Sequence, residues 1–353
     1  MLSQGWASGG CGGLGFAIFG LFASAAMSAV SLSRRLLLAA LPTTLVARPA
    51  LAAVETWDFA VSYPDANPHT RMARLFAAEV ARESGGRLDL AVHPGAVLFK
   101  APEILHAVAS GQVPVGEFPL QTQANDDPVW GADTVPFLAP GIEGAAKLYA
   151  RQKPLLERRC TQAGLRWLYS VPSTGIALVL SRPIQAVADL QAQPIRPGSR
   201  SFAGFVRALG AVPATVSQID LPEAFRHGTV RGWFTTLGAA VEQRSWQFAG
   251  AVLDLGAAYP RNAVVVNDRA FRRLSADLQA ALLEAAARIE AKAWASAVML
   301  QQDMRAKLTQ NGVQVLSPSR GLTDGFTRAA RPVIEDWLKR AGAEGDALIR
   351  SLS

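Results

Sequence analysis

The apolar residues of this chain change their spacing again and again along its length, and that switching confines it to a layered fold of strands and helices. Trp57 to Ser62 reads as a strand, broken by Pro64-Asp65-Ala66-Asn67-Pro68. Met72, Leu75, Phe76 and Val80 then fall at helical spacing and stop at Gly85-Gly86. Arg87 to His93 alternates Leu88, Leu90 and Val92 on one face, as a half-buried strand does. A helix over Pro102 to Ser110 precedes Gly111, and a strand over Val113 to Phe118 follows. Such β-α-β-α-β alternation predicts a largely parallel sheet flanked by helices, with ligand sites at the carboxyl ends of its strands.

The middle of the chain repeats the plan. Strands are expected at Ile176 to Leu180, Gln193 to Arg196 and Val212 to Val216, with a helix from Ser201 to Leu209. A short helix over Pro222 to Arg226 has Asp220 as its expected cap. With 353 residues, half of them apolar, two medium cores fit the usual domain size better than one large one. No linker rich in Gly, Ser or Pro divides the halves, so the chain is expected to cross between them more than once. Ser275 to Gln310 forms one long helical pattern closed by Asn311-Gly312. At about 1.5 Å per residue it spans roughly 50 Å, longer than one lobe. A strand over Val313 to Leu316 and a helix over Asp324 to Ala341 end the chain.

Residues 1–52 have a different composition. They hold no Asp, Glu or Lys, and their only charges are Arg34, Arg35 and Arg48. Arg34-Arg35, the apolar run Leu36 to Val46 and the small residues Ala50-Leu51-Ala52 follow the order of a secretory signal peptide, loosely of the twin-arginine kind. The competing reading, an uncleaved anchor, needs about 20 apolar residues to span a bilayer, and this run is about half that. Such a leader could begin at Met27, with either a start called too early or a second apolar segment, Leu14 to Ala26, upstream. Gly10-x-Gly12-x-x-Gly15 matches a dinucleotide fingerprint in form only, since no strand precedes it. Taking the leader's three arginines from the 35 basic residues, against 28 acidic ones, leaves a mature charge of +4. Those charges are interspersed, without the basic runs that mark a nucleic-acid partner. Cys160 is the one cysteine beyond the leader, so no intramolecular disulfide holds the mature chain.

Catalytic signatures are missing. There is no Gly-x-Ser-x-Gly elbow, phosphate loop or His-Glu-x-x-His, and His69, His93, His106 and His227 never share metal-ligand spacing. Cys160 in a helical stretch reads as a buried structural thiol, and Asp126-Asp127-Pro128 as a turn. Neither an enzyme, a cofactor nor a metal is expected. Arg196 stands apart. It ends a predicted strand, where a guanidinium fork can hold a carboxylate through two charge-assisted hydrogen bonds. Spacing alone leaves a salt bridge or a surface arginine as the alternative.

At this point the chain resembles the DctP-type solute-binding proteins of tripartite ATP-independent periplasmic (TRAP) transporters. The resemblance runs from Phe59 to about Ala295. Its signposts include Glu79-Val80-Ala81-Arg82-Glu83-Ser84-Gly85-Gly86-Arg87-Leu88, Pro94-Gly95-Ala96-Val97-Leu98, Asp189-Leu190, Ile195-Arg196, Ala208-Leu209-Gly210-Ala211-Val212-Pro213 and Pro260-Arg261-Asn262-Ala263-Val264-Val265-Val266-Asn267. Each is weak alone, and their order over most of the chain carries the signal. The resemblance implies two α/β lobes around a ligand cleft, a β-strand hinge, a long bridging helix, periplasmic export and delivery of an organic acid to integral-membrane TRAP subunits. It implies residues 53–173 with 262–300 as one lobe and 174–261 with 301–353 as the other, in a monomer. It also implies that Arg196 pairs with the ligand carboxylate.

The departures bear on the ligand. Where a related branch has an aromatic-Pro-Gln-Gly stretch, this chain has Ser173-Thr174-Gly175-Ile176, Pro197-Gly198 follows the arginine, and Val230-Arg231-Gly232 puts a cation where an acid is usual. Further binding candidates are Trp233 or Phe234, but not both, with Thr235, Tyr63, Glu117 and Lys100. Core or surface roles are the alternatives for each. An apolar Ile176 to Leu180 favours a monocarboxylate with an apolar or aromatic body. A dicarboxylate held by Arg196 with Lys100 or Arg231 is the other reading, and a binding protein that senses its ligand without transport is a third.

Overall fold

The computed structural model describes residues 54–350, so the predicted leader lies outside the described residues. The alternation produces two sheets. The first takes β1 (Glu55–Val61), β2 (Leu88–His93), β3 (Val115–Pro119), β4 (Leu165–Pro172) and β10 (Arg261–Asn267), in the order β2-β1-β3-β10-β4. The second takes β5 (Ile176–Leu180), β6 (Pro194–Arg196), β7 (Val212–Pro213), β8 (Gly232–Thr236), β9 (Ala251–Leu253) and β11 (Gln314–Leu316), in the order β11-β9-β5-β8-β6-β7.

Strands joined through helices pair in parallel, as expected: β1 with β2 and β3, and β8 with β6. The antiparallel pairs arise where the chain changes sheets. β10 runs against β3 and β4, and β5 runs against β8 and β9. Residues 173–175 lead from β4 into β5, and 254–260 return from β9 to β10. The two crossings lie side by side, with Ser173 N–H donating to Pro260 O at 2.8 Å and Ile176 N–H to Ala258 O at 2.8 Å. This pair of adjoining segments is the β-strand hinge.

Helices α1 (Pro68–Glu83), α2 (Ile104–Ser110), α3 (Gly141–Gln162) and α7 (Asp268–Arg273) cover the first sheet, and α4 (Arg200–Ala208), α5 (Leu221–His227) and α6 (Leu237–Glu242) belong to the second. The central strands β3, β5 and β10 are buried along their whole length, so they do not alternate between buried and exposed residues, and the polar Glu117, Arg261, Asn262 and Asn267 among them are buried too. Asp220 occupies the position before α5 but does not cap it. Its carboxylate instead accepts from Ser217 Oγ at 2.6 Å.

Two long helices serve both sheets. α8 (Ala276–Gln310) packs Leu282, Ala285 and Ile289 into the first core and Met304 and Leu308 into the second. α9 (Arg320–Arg350) packs Phe326 and Ala330 against the second core and Trp337 and Leu348 against the first, so residues 301–353 are not confined to the second lobe. The expected end of the last helix, Ala341, marks a break. Gly342 has φ 60° and ψ −146°, a conformation open to glycine but not to a residue with Cβ, and a further helical stretch follows it. Among the described residues no helix is long and apolar enough to cross a membrane.

Candidate ligand-binding site

A cleft of about 620 Å³ opens between the two sheets, at the carboxyl ends of β1, β3, β6 and β8. The loop after β1 brings Tyr63 and Asn67 to its first wall. Asn67 starts α1: its Oδ1 accepts from His69 N–H at 2.8 Å, and Pro68 fits the first turn because a proline has no N–H to leave unpaired there. The cap fixes His69 on the cleft side of α1. Ser173 comes from one hinge crossing and Asn262 from the start of β10 just after the other, while Ser199, Thr235 and Thr236 form the second-sheet wall.

A buried polar chain lies behind the first wall. Glu117, 1% exposed, accepts at Oε1 from Asn262 Nδ2 at 2.9 Å and pairs with His69 Nδ1 at 2.9 Å. His69 Nε2 meets Ser173 Oγ at 2.9 Å, and the imidazole stacks on Tyr63 with ring centres 5.0 Å apart. Burial pushes the Tyr63 hydroxyl well above its ordinary pKa; the Asn262 hydrogen bond opposes that shift, and the charges of Glu117 and Glu242 add to it. Tyr63 therefore meets a ligand as a neutral phenol. Across the cleft mouth Asn67 Nδ2 donates to Glu242 Oε1, tying α1 to α6. The Glu242 side chain is exposed at the rim, yet burial of its carboxyl end raises its pKa against the pull of Asn67, His69 and Arg71.

The hinge strand is anchored from below. Arg261, 1% exposed, donates its backbone N–H to Asp133 Oδ2 at 2.6 Å, its side chain hydrogen-bonds Gln152, and its guanidinium lies 4.9 Å from the Tyr149 ring centre. Burial raises the Asp133 pKa to about 6, outweighing the attraction of Arg261. This cluster holds the start of β10, and with it Asn262, in place.

Arg196 is half-buried just behind the second wall, flanked by the lining residues Gly198 and Ser199. Its Nε donates to Val216 O at 2.7 Å, and its guanidinium lies 5.7 Å from the Trp233 ring centre. Burial lowers its pKa, and among the described residues no carboxylate forms an ion pair with it. Ser199 caps α4, its Oγ accepting from Phe202 N–H at 3.3 Å, so a helix N-terminus also faces the cleft here. Gly198 is required beside it, since a Cβ would stand 2.7 Å from Phe234 O.

Of the residues singled out from sequence, Tyr63 and Thr235 line the cleft and Glu117 lies directly behind the wall, whereas Arg196 is not itself a lining residue and reaches the wall only through its neighbours Gly198 and Ser199. Trp233 and Phe234 both lie in the core on opposite faces of β8. Trp233 supports Arg196, and Phe234 packs on Phe202 and Phe205. Neither lines the cleft, because a strand covered on both faces exposes only its end. Lys100 lies on an exposed loop off the cleft, and Arg231 is at the opposite end of β8, donating its N–H to Pro194 O at 2.8 Å. His69, Asn67, Ser173, Asn262 and Ser199 were not singled out. The first turn after β1 could have been, from the rule that ligands gather at strand carboxyl ends; Ser173 and Asn262 come together only through the hinge.

The family model for bacterial extracellular solute-binding proteins of family 7 matches residues 59–340. The Bordetella pertussis extracytoplasmic solute receptor DctP6, solved as a protein binding pyroglutamic acid, is 34% identical, with 84% of this chain and 99% of that one covered and a TM-score of 0.78. The B. pertussis receptor DctP7, which also binds pyroglutamic acid, is 31% identical over 85% and 99%, again at 0.78. A marine-metagenome TRAP solute-binding protein specific for pyroglutamate is 29% identical over 85% and 99%, at 0.76. These relatives are solute receptors, not enzymes, and the two-sheet architecture around a hinge is theirs. The match over residues 59–340 covers most of the chain, which therefore belongs to the bacterial extracellular solute-binding proteins of family 7, the DctP-type receptors of TRAP transporters.

Proposed function

We propose that this protein is the periplasmic receptor of a TRAP transporter for a small monocarboxylic acid with a compact body, of which pyroglutamate, with one polar lactam group in its ring, is the leading example. Arg196 holds the carboxylate, and the N-terminus of α4 with Ser199 adds to it. The lobes close over the acid and present it to the membrane subunits.

The observation that carries this reading is the state of Arg196. A half-buried guanidinium with no carboxylate partner among the described residues is a desolvated cation suited to an external anion. A monocarboxylate fits better than a dicarboxylate because, among the described residues, no second lysine or arginine accompanies Arg196 at the cleft wall, and Lys100 and Arg231 lie away from it. The relatives that are 29–34% identical bind an acid of this kind.

A thermal-shift panel tests the proposal with pyroglutamate, lactate and benzoate set against succinate and malate. Pyroglutamate is expected to give the largest shift. A larger shift with a dicarboxylate would overturn the assignment.

A further inference from the structure

We infer that Ser173 reads a hydrogen-bond donor on the ligand, its polarity fixed from behind by His69 and the buried Glu117. The inference rests on the function proposed above. It narrows the ligand class to acids that carry an N–H or O–H group besides the carboxylate.

The relay is a straight sequence of contacts: Glu117 Oε1 to His69 Nδ1 at 2.9 Å, then His69 Nε2 to Ser173 Oγ at 2.9 Å. The Glu117 carboxylate stands beside Nδ1 as an ion-pair neighbour outside hydrogen-bond geometry, and its negative charge favours the neutral tautomer that turns the hydrogen, and not the lone pair, of Nδ1 toward it. In that tautomer Nε2 carries the lone pair, and the Ser173 O–H fills it. With its hydrogen turned back, Ser173 shows only lone pairs to the cleft whose wall it forms. The ring is held in this setting by burial to 6% and by its stack on Tyr63. Asn262 Nδ2 holds the same Glu117 oxygen at 2.9 Å, so the carboxylate cannot turn away either. Glu242 at the rim is the other acidic group whose charge His69 feels.

In a hydrolase these three side chains would activate the serine as a nucleophile. Here the Ser173 N–H donates to Pro260 O at 2.8 Å and the Gly175 N–H to Gln301 Oε1 at 2.8 Å. Those backbone donors are spent within the protein and do not converge on a developing oxyanion beside Ser173. The arrangement serves recognition.

The test is a ligand series that differs at one atom: pyroglutamate, its N-methyl derivative, and the lactone in which oxygen replaces the ring N–H. Dissociation constants are measured calorimetrically on the full secreted chain. Wild type is expected to bind the lactone at least about 10-fold more weakly than the lactam, because two sets of lone pairs then face each other. In Ser173→Ala that ratio is expected to fall to within about threefold. His69→Phe keeps a ring against Tyr63 and frees the serine hydroxyl to turn, so it should collapse the ratio too. A purely structural role for His69 would weaken both ligands equally and leave the ratio intact. Circular dichroism establishes that each variant is folded, and Ser173→Ala carries the test if His69→Phe is not. Equal binding of lactam and lactone by wild type, or a ratio that survives Ser173→Ala, overturns the inference and leaves the Arg196 assignment standing. No binding of any of the three overturns both.

Discussion

Replacing Arg196 with alanine should separate binding from folding, because the contacts of this side chain within the protein are few. It gives one hydrogen bond to Val216 O and one cation–π contact with Trp233 at 5.7 Å. A neutral hydrogen bond contributes about 0.5–1.5 kcal/mol and an exposed or half-exposed cation–π contact about 0.5–1 kcal/mol. Relief of the desolvated, unpaired guanidinium opposes that loss. The apo variant should therefore lie within about 1.5 kcal/mol of wild type. A carboxylate deprived of its charged partner loses about 2–5 kcal/mol of binding free energy, roughly 30- to 4,000-fold in Kd. In a thermal-shift assay, ligand at 100 times Kd stabilises the native state by about 2.7 kcal/mol. For roughly 300 ordered residues at about 2.1 cal/mol/K each, that is about 4 °C. At the same acid concentration the variant's shift should fall to about 1.4 °C for a roughly 30-fold loss and to nearly nothing for a roughly 4,000-fold one. Arg196→Lys should fall between, since it keeps the charge and loses the fork. Arg196→Ala with a folded melt and wild-type affinity would refute the reasoning.

Two further predictions concern the scaffold. Trp337, 1% exposed with Nε1 donating to Pro128 O at 2.8 Å, joins α9 to the first core, and Trp337→Ala should destabilise by about 3–5 kcal/mol in denaturant melts with the m-value unchanged; a loss under about 1 kcal/mol would mean that α9 does not hold the lobes together through this residue. Asp133 keeps its proton up to about pH 6 when folded, while an unfolded aspartate releases it near pH 3.9. Between those values the folded state binds more protons, so this group's contribution falls as pH rises to 6 and is level above it. Melting wild type and Asp133→Asn from pH 4 to 7 should show the wild type losing stability relative to the variant over that window, and identical slopes would overturn the assignment.

The sequence made the strand and helix order legible wherever one face of an element is dry and the other wet, as in β2 and α1. It was less legible where an element is dry on both sides. β10 has all seven residues buried, and its place between β3 and β4 depends on pairings far apart in the chain. The same limit governs the site. Arg196 could be found because it ends a strand, but Trp233 and Phe234 one strand away fill the two faces of β8 rather than the cleft. Glu117 was found as an acid at the end of β3, without its partners. The contacts that give it meaning, to His69 and Asn262, span 48 and 145 positions of chain.

The division of polar groups between the walls bears on how such a receptor closes. The guanidinium is on the second-sheet side, in β6, while Tyr63, His69 and the Glu117 carboxylate are on the first, with Ser173 and Asn262 at the hinge between them. An acid held by Arg196 alone gains nothing from closure. One that also reaches Ser173 adds contacts that exist only when the walls approach, and its differential affinity for the closed form is what shifts the population. Asn67 and Glu242 already span the cleft mouth through a single hydrogen bond, so closure starts from a joined rim rather than from free lobes. The ligand then needs to supply only the remaining bias, which a single added hydrogen bond of about 1 kcal/mol turns into a roughly fivefold change in the closed-to-open ratio. Selectivity and closure thereby draw on the same contact, and an acid that lacks the donor is expected both to bind more weakly and to leave more of the receptor open.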